Sequence, residues 1–272
     1  MSALTIPRLE GSTLQRDLGL IGQQIRYEQR SYWRNRGRGL FTFAFPLMFL
    51  VIFASLDHGS HISSLGGIPY DDFLVPGILA YGVITTTFAN LAITTAILRD
   101  AGVLKRMQGT PLPRWAYTAA RIGSTCLISA TIAVVTIAGG VLLWGVDLRL
   151  EALPGIVLTL ALGTAAFTTI GIGLAQFIPK AESGPVLINL IVLPITFISN
   201  IFYPTTGMPA VLRTIADIFP INALARALQY AFDPRHHGAG LDWTHLWTLA
   251  IWTVIGIFLM LRFLRKPQGE QV

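Results

Sequence analysis

Six long apolar runs divide this chain, and each is near the roughly 20 residues that a helix needs to cross about 30 Å of hydrocarbon. They cover Leu40–Leu56, Phe73–Leu98, Ala119–Trp144, Pro154–Ile178, Gly184–Tyr203 and His245–Leu264. A backbone inside lipid must satisfy its own polar groups, so such runs fold as helices or not at all. The expected fold is therefore all-α and integral to a membrane, with six transmembrane helices. Composition agrees: 53% of residues are hydrophobic and only 12% charged, where a soluble domain carries about a quarter charged.

The basic residues fix an orientation. With the N-terminus inside, the inner segments hold Arg8, Arg16, Arg26, Arg30, Arg34, Arg36 and Arg38. They also hold Arg99, Lys105, Arg106, Arg114, Arg121, Lys180, Arg262, Arg265 and Lys266, which makes 16 of the 20 Lys and Arg. The outer loops keep Arg149, Arg213, Arg226 and Arg235. The positive-inside rule then puts both termini in the cytoplasm of a multi-pass cell-membrane protein. The formal charge of +6 needs no nucleic-acid partner; these residues are inner-face anchors that also meet anionic lipid headgroups.

No cleavable signal peptide is expected, because the first apolar run starts only at Leu40 behind a polar, Arg-rich stretch. The single cysteine, Cys126, lies in the third run, so no intrachain disulfide forms. The organisation reads as a cytoplasmic tail over 1–39, a membrane domain over 40–264 and a short cytoplasmic tail over 265–272. In the first tail Leu14, Leu18, Ile21 and Ile25 recur at helical steps among polar residues. They predict an amphipathic helix in the inner interface, followed by the Tyr32–Trp33 and arginine anchor.

Two segments between runs carry further information. The inner loop from Arg99 to Arg114 starts helical, turns near Gly109 and Pro111, and restarts at Trp115. It is either a charged helix docking a cytosolic partner or a set of inner-face anchors. The outer segment after the fifth run holds two apolar pieces too short to span, Ala210–Phe219 and Ala223–Phe232, split by Pro220. Val211, Leu212, Ile215, Ile218 and Phe219 give the first an apolar face, and Asn222 is placed to cap the second. The expectation is a pair of re-entrant helices acting as an outer gate, with a loop packed on the span ends as the alternative.

Candidate chemistry elsewhere is thin. His58, His61, Asp71, Asp72, His236 and His237 lie in outer loops without a convergent ligand pattern, so no metal site is expected. No nucleophile–base set stands out, and no catalytic residue is assigned. Thr87, Asn90 and Thr94 share one face of the second run, and Asn189 and Thr196 one face of the fifth, with Asn200 beyond them. Such groups cannot cheaply face lipid. They line either a substrate path, a seam between two copies, or the hydrogen-bonded interior of the bundle. No ionisable residue lies deep in a run, which argues against a proton-coupled carrier.

Taken together, these segments resemble the type-2 ABC transporter permeases, the membrane subunits of daunorubicin-type drug exporters and of exporters of cell-surface glycans and lipids. The stretch Arg99-Asp100-Ala101-Gly102-Val103-Leu104-Lys105-Arg106-Met107, with Thr110-Pro111-Leu112 after it, is similar to that family's acidic-x-Gly-Thr-Leu-Lys-Arg-Leu…Thr-Pro-Leu signature. Phe202-Tyr203-Pro204, Met208-Pro209 and Phe219-Pro220-Ile221-Asn222-Ala223 are similar to its Phe-Pro…Met-Pro…Asn-Pro-Leu pattern. Leu98 and Val103 depart from the family's usual Glu and Thr.

The resemblance implies an exporter permease that moves an amphipathic or lipid-like substrate, such as a drug, lipid or glycolipid, and is not itself an enzyme. Arg99, Asp100, Gly102, Leu104, Lys105 and Arg106 would form the coupling helix seated on an ATP-binding subunit. Phe202, Tyr203, Pro204, Phe219, Pro220 and Asn222 would form the outer gate. The partners implied are that ATPase and a second permease, either another copy or a sister chain. ATP and Mg would sit on the ATPase, with no cofactor on this chain. The residues agree on one point: Lys105, Lys180 and Lys266 follow Leu104, Pro179 and Arg265, so the Gly-Lys of a phosphate-binding loop is missing. Other classes left open are a lipid-modifying membrane enzyme and a self-sufficient secondary carrier.

Overall fold

The computed structural model describes residues 13–106 and 114–265. The helix α1, Thr13–Arg34, breaks at Asn35 and leads into α2, Arg36–Asp57. A two-residue hairpin follows, β1 His61–Ile62 antiparallel to β2 Ile68–Pro69, with His61 opposite Pro69. The second apolar run is one continuous rod in three parts. These are α3, Tyr70–Ile84, a five-residue π-helical turn, Thr85–Ala89, and α4, Asn90–Asp100. The short α5, Val103–Arg106, comes next, then α6, Arg114–Trp144, α7, Leu153–Leu174, and α8, Gly184–Ile198. The outer segment forms α9, Ala210–Ile218, and α10, Pro220–Phe232, before the last helix, α11, Trp243–Arg265.

The protein is all-α and integral to the membrane. Among the described residues five segments are long and apolar enough to cross it: Tyr70–Asp100, Ala116–Trp144, Leu150–Phe177, Ala181–Ile198 and Trp243–Arg262. The first run is also helical, but its apolar part, Thr42–Asp57, is shorter. The fifth run ends sooner than its hydrophobicity suggests. Asn200 sits in the left-handed region with φ 61°, and its Oδ1 accepts the backbone N–H of Thr205 at 3.0 Å. Asn is one of the few residues that tolerates this conformation, so Ile201–Tyr203 leave the helix axis.

Hydrophobic all round, the α3–α4 rod occupies the centre, as such a helix must. Its most apolar stretch is 89% buried, against 17% for α11 and 22% for α8. Leu74, Val75, Ile78, Leu79, Val83 and Ile84 are fully enclosed. The outward faces of α8 and α11 expose Val186, Leu190, Ile191, Leu193 and Phe197, and Trp247, Ile251, Val254 and Phe258. Apolar surface of this extent suits lipid or another protein rather than water.

The α9–α10 pair folds down among the spans. The Trp252 indole N–H donates to the Ile218 carbonyl at 2.9 Å, and its ring stacks on Phe219 at 6.5 Å. Trp252 lies nine residues into α11, about 14 Å along its axis at 1.5 Å per residue. The turn between α9 and α10 is therefore well below the end of the bundle. From it α10 climbs back between α3, α7 and α11 and is buried over nearly all its length. In contrast α9 turns Val211, Leu212, Ile215 and Ile218 outward.

Candidate functional site

Three places gather the residues that the sequence singles out: a turn at one end of the bundle, a threonine-rich stretch in the central rod, and a hydrogen-bonded cap at the opposite end.

The turn begins where α4 stops. Gly102 adopts φ 66°, the left-handed conformation that ends helices and that glycine takes without Cβ strain. Close by, the Arg99 side chain is 13% exposed and turns toward the α7–α8 connection, while Asp100 stays exposed beside it. Arg99 donates to the carbonyls of Ala175 at 3.1 Å and Ile178 at 2.7 Å, beyond the end of α7. It also forks onto the Asp100 carboxylate at 2.9 and 2.8 Å. Asp100 in turn accepts the backbone N–H of Ala181 at 2.6 Å. This pair ties the end of α4 to the α7–α8 connection. Beyond it α5 projects. Arg106 is exposed and donates to the Ala101 carbonyl at 2.7 Å. Leu104 and Lys105 lie on α5, but their side chains are outside the described set, as is the continuation from Met107 to Pro113.

In the rod the threonine hydroxyls turn onto their own helix. Thr85 donates to the carbonyls of Tyr81 and Gly82, Thr86 to Gly82 and Val83, and Thr87 to Val83 at 2.6 Å. Each hydroxyl is thus satisfied within its own helix, back-bonding that accompanies the local π turn. The backbone of α7 comes close at this point. A Cβ on Gly171 would stand 2.8 Å from the Phe88 carbonyl oxygen and 3.2 Å from its Cα. Only glycine fits.

Further along, Thr94 donates to the Asn90 carbonyl and accepts from Arg121, both at 2.6 Å. Asn90 and Thr94 line a small cavity of about 30 Å³ with Glu28, Tyr32, Arg121, Ser124 and Thr125. That volume holds about two waters. Arg121, read from the sequence as an inner-face anchor, is only 8% exposed. It reaches the hydroxyls of Thr94 and Tyr117. Beside it α1 lies along α6, joined by Gln29, whose amide donates to the carbonyl and hydroxyl of Ser124 at 2.7 and 3.1 Å. The expected helix is present, and the inward side of its described part mixes Ile21 and Ile25 with Gln24, Glu28 and Gln29.

The remaining polar span residues do not converge with these. Asn189 is exposed on the apolar outer face of α8. Thr196 is buried with no hydrogen-bond partner for its hydroxyl. Asn200 belongs to the cap, where its amide donates to Gln229 at 2.6 Å.

The cap joins every loop at its end of the bundle. Arg149 donates to the carbonyls of His236, Ala231 and Asp233, closing the C-terminus of α10. Arg235 binds the Asp233 carboxylate at 2.6 Å and reaches the Leu65 carbonyl at 2.7 Å. Arg226 donates to Thr205 at 3.1 Å and lies 3.5 Å from Asp217. Burial pushes the Asp233 carboxyl upward, but the Arg235 side chain and backbone donors and the Arg235 and His236 charges outweigh it, leaving it below the usual carboxylate range. Phe202 is fully buried amid Phe49, Phe53, Tyr81 and Phe197. Tyr203 donates to Asp57 at 3.2 Å, and burial together with that carboxylate raises its phenol. Pro204 leads out of this knot. Pro220 opens α10 at its first position, where a missing N–H costs nothing. Asn222 does not cap α10: Phe219 holds the cap position, and the Asn222 amide reaches back to donate to the Asp217 carboxylate at 2.7 Å.

Three arginines of the cap and the buried Arg121 escaped the sequence reading. They were counted only by side of the membrane, although an outer arginine that survives the positive-inside bias is a signal that it has a structural partner.

A helical membrane bundle with a projecting charged turn at one end and a tied cap at the other defines a transport permease rather than a soluble enzyme. Residues 20–232 match the ABC-2 type transporter family model, and the chain belongs to that family. It is similar to the inner membrane transport permease YadH of Escherichia coli K12, 23% identical over 68% of this chain and 71% of the relative. Nodulation protein J of Rhizobium leguminosarum bv. trifolii is 28% identical over 76% of this chain and 78% of that one. Nodulation protein J of Neorhizobium galegae is 24% identical over the same shares. The chain is therefore a multi-pass membrane subunit of a transport system whose permeases generally work with an ATP-binding subunit.

Proposed function

We propose that this chain is the permease subunit of an ATP-driven exporter that moves an amphipathic or lipid-like molecule outward. The observation that carries the reading is the turn after α4. It carries the exposed Arg106 and is tied through Arg99 and Asp100 to the α7–α8 connection. A push on α5 would thus reach α4, α7 and α8 together. In this reading an ATPase, holding ATP and Mg, docks on Gly102–Arg106. Both termini are cytoplasmic, α2 is the first of six spans, and the cap faces outward. The α9–α10 hairpin is then the re-entrant outer gate.

A second permease, another copy or a sister chain, completes the path. The exposed face of α8 supports this, since Asn189 amid Val186, Leu190, Ile191 and Leu193 is costly against lipid. Thr87 and Thr94 are engaged with their own helix carbonyls, so they serve the rod's shape more directly than they line a path.

The test is co-purification of the tagged chain with a P-loop ATPase from its own membranes. Wild type should retain it and show ATP turnover that rises with the substrate. Reversing charge at Lys105 and Arg106 together should lose the ATPase at normal membrane yield, because like charges would face each other at a partly desolvated contact. Retained ATPase and normal transport would remove docking at this turn.

A further inference from the structure

The cap encloses a cavity of about 310 Å³ between the β1–β2 hairpin, the start of α3, and α10 with its following loop. That is the lower end of small-molecule sites. Its walls combine carbon surface from Leu65, Ile68, Phe73 and Tyr230 with three carboxylates, Asp72, Asp233 and Asp242. Two of those carboxylates already have a basic side chain as partner. Asp233 holds Arg235 at 2.6 Å, and Asp242 holds His245 at 2.6 Å. Among the described residues Asp72 has no cationic partner; the backbone N–H of Asp147 approaches it instead. The cations of the wall are committed: Arg235 to Asp233 and Leu65, and Arg226 to Thr205 and Asp217. The cavity therefore holds one carboxyl group without a basic partner among the described residues, and it is far too large for a bare ion.

We propose that this cavity binds an organic ammonium group carried on an apolar body, with Asp72 as its counter-ion. An ammonium gains from the carboxylate and from a neighbouring aromatic ring, here Tyr230, more than an inorganic cation does, because little water has to be stripped from it. The carbon walls accept the attached apolar part. The same chemistry arrives either as a soluble lipophilic amine or as the ethanolamine headgroup of a membrane lipid. That the bound amine is also exported rests on the permease reading above; binding itself does not.

The probe is benzyltrimethylammonium, titrated by calorimetry into the purified complex in lipid nanodiscs. Wild type should bind it, and Asp72→Asn should weaken binding about tenfold or more, the cost of one charge-assisted contact. Tyr230→Leu should weaken it severalfold through loss of the ring and serves if Asp72→Asn does not fold. Glu151→Gln, exposed and outside the cavity lining, should leave it unchanged. Weaker binding in discs containing phosphatidylethanolamine would identify the lipid headgroup as the occupant; equal binding would identify a soluble amine. No binding to wild type, or equal affinity in Asp72→Asn and Tyr230→Leu, overturns the site whatever the complex transports. Binding that depends on Asp72 without transport in vesicles retains the site and removes the exporter reading.

Discussion

Replacing Arg99 by Ala is the sharpest probe of how the projecting turn is joined to the bundle. The side chain is 13% exposed, so water replaces its contacts poorly. It gives hydrogen bonds of 2.7 and 3.1 Å to the Ile178 and Ala175 carbonyls and orients Asp100 toward the Ala181 amide at 2.6 Å. A hydrogen bond from a charged donor contributes about 1.5–3 kcal/mol. The two carbonyl bonds share one side chain and are partly replaced by water after truncation, so a combined loss of about 2–3 kcal/mol is expected. Hydrogen exchange measured by mass spectrometry reads this directly. Local opening of the α7–α8 connection should become about 30- to 150-fold more frequent, and peptides covering 178–183 should exchange faster by that factor. The Trp252–Ile218 region, at the other end, should not change. Arg99→Lys should recover only part of the loss, because a single ammonium cannot fork across two carbonyls and a carboxylate. Unchanged exchange at 178–183 in Arg99→Ala would refute the tie and with it the claim that a push on α5 reaches α7 and α8.

Other outcomes can be checked more briefly. In a Cys126→Ala background, cysteines at 61 and 236 should react with an impermeant thiol reagent from outside intact cells and one at 105 should not; labelling at 105 would reverse the proposed orientation. Gly171→Val should lower thermal stability by about 1–3 kcal/mol through overpacking, since the new Cβ meets the Phe88 backbone at 2.8 Å; an unchanged melting temperature would mean that α7 and the π turn separate freely. The depressed Asp233 carboxyl stabilises the cap above the unfolded value near 3.8 and loses that contribution as pH falls through the lower folded value. The melting temperature should therefore be flat from about pH 7 to 5 and fall below about pH 4, and Arg235→Ala should flatten part of that fall. Replacing Phe219 and Pro220 by Gly should impair transport while ATPase binding persists; normal transport would leave the α9–α10 hairpin a packing element only.

Much of the fold was written in hydrophobic length. The six apolar runs became helices because lipid leaves the backbone no other way to satisfy itself, and the proline at 220 marked the hairpin turn. What the sequence hid is local and conformational. Asn200 cut the fifth run short because its side chain tolerates a left-handed turn, which no hydropathy value records. The π turn at Thr85–Ala89 was invisible for a related reason: three consecutive threonines fit an ordinary helix as well. The site was legible as segments and less so as contacts. Arg99 and Asp100 carry the charges of a docking surface, but a carbonyl-rich loop 76 residues away in sequence, at Ala175, turns Arg99 inward. Side-of-membrane counting grouped Arg149, Arg226 and Arg235 together and said nothing of the carbonyls and carboxylates that employ them.

The surplus residue in the Thr85–Ala89 ladder gives the central rod torsional slack. Shifting that surplus by one position re-phases a residue by about 100° around the axis without lengthening the rod or moving its ends. The three threonine hydroxyls, each able to reach carbonyls three or four residues back, ease the exchange of partners. Gly171 presses the α7 backbone against this same point, so a change of phase there is felt by the neighbouring span at once. Twist entering at Asp100 can thus be taken up and handed sideways at mid-depth, while Tyr70, bonded to the Phe202 carbonyl at 2.9 Å, keeps the far end in place.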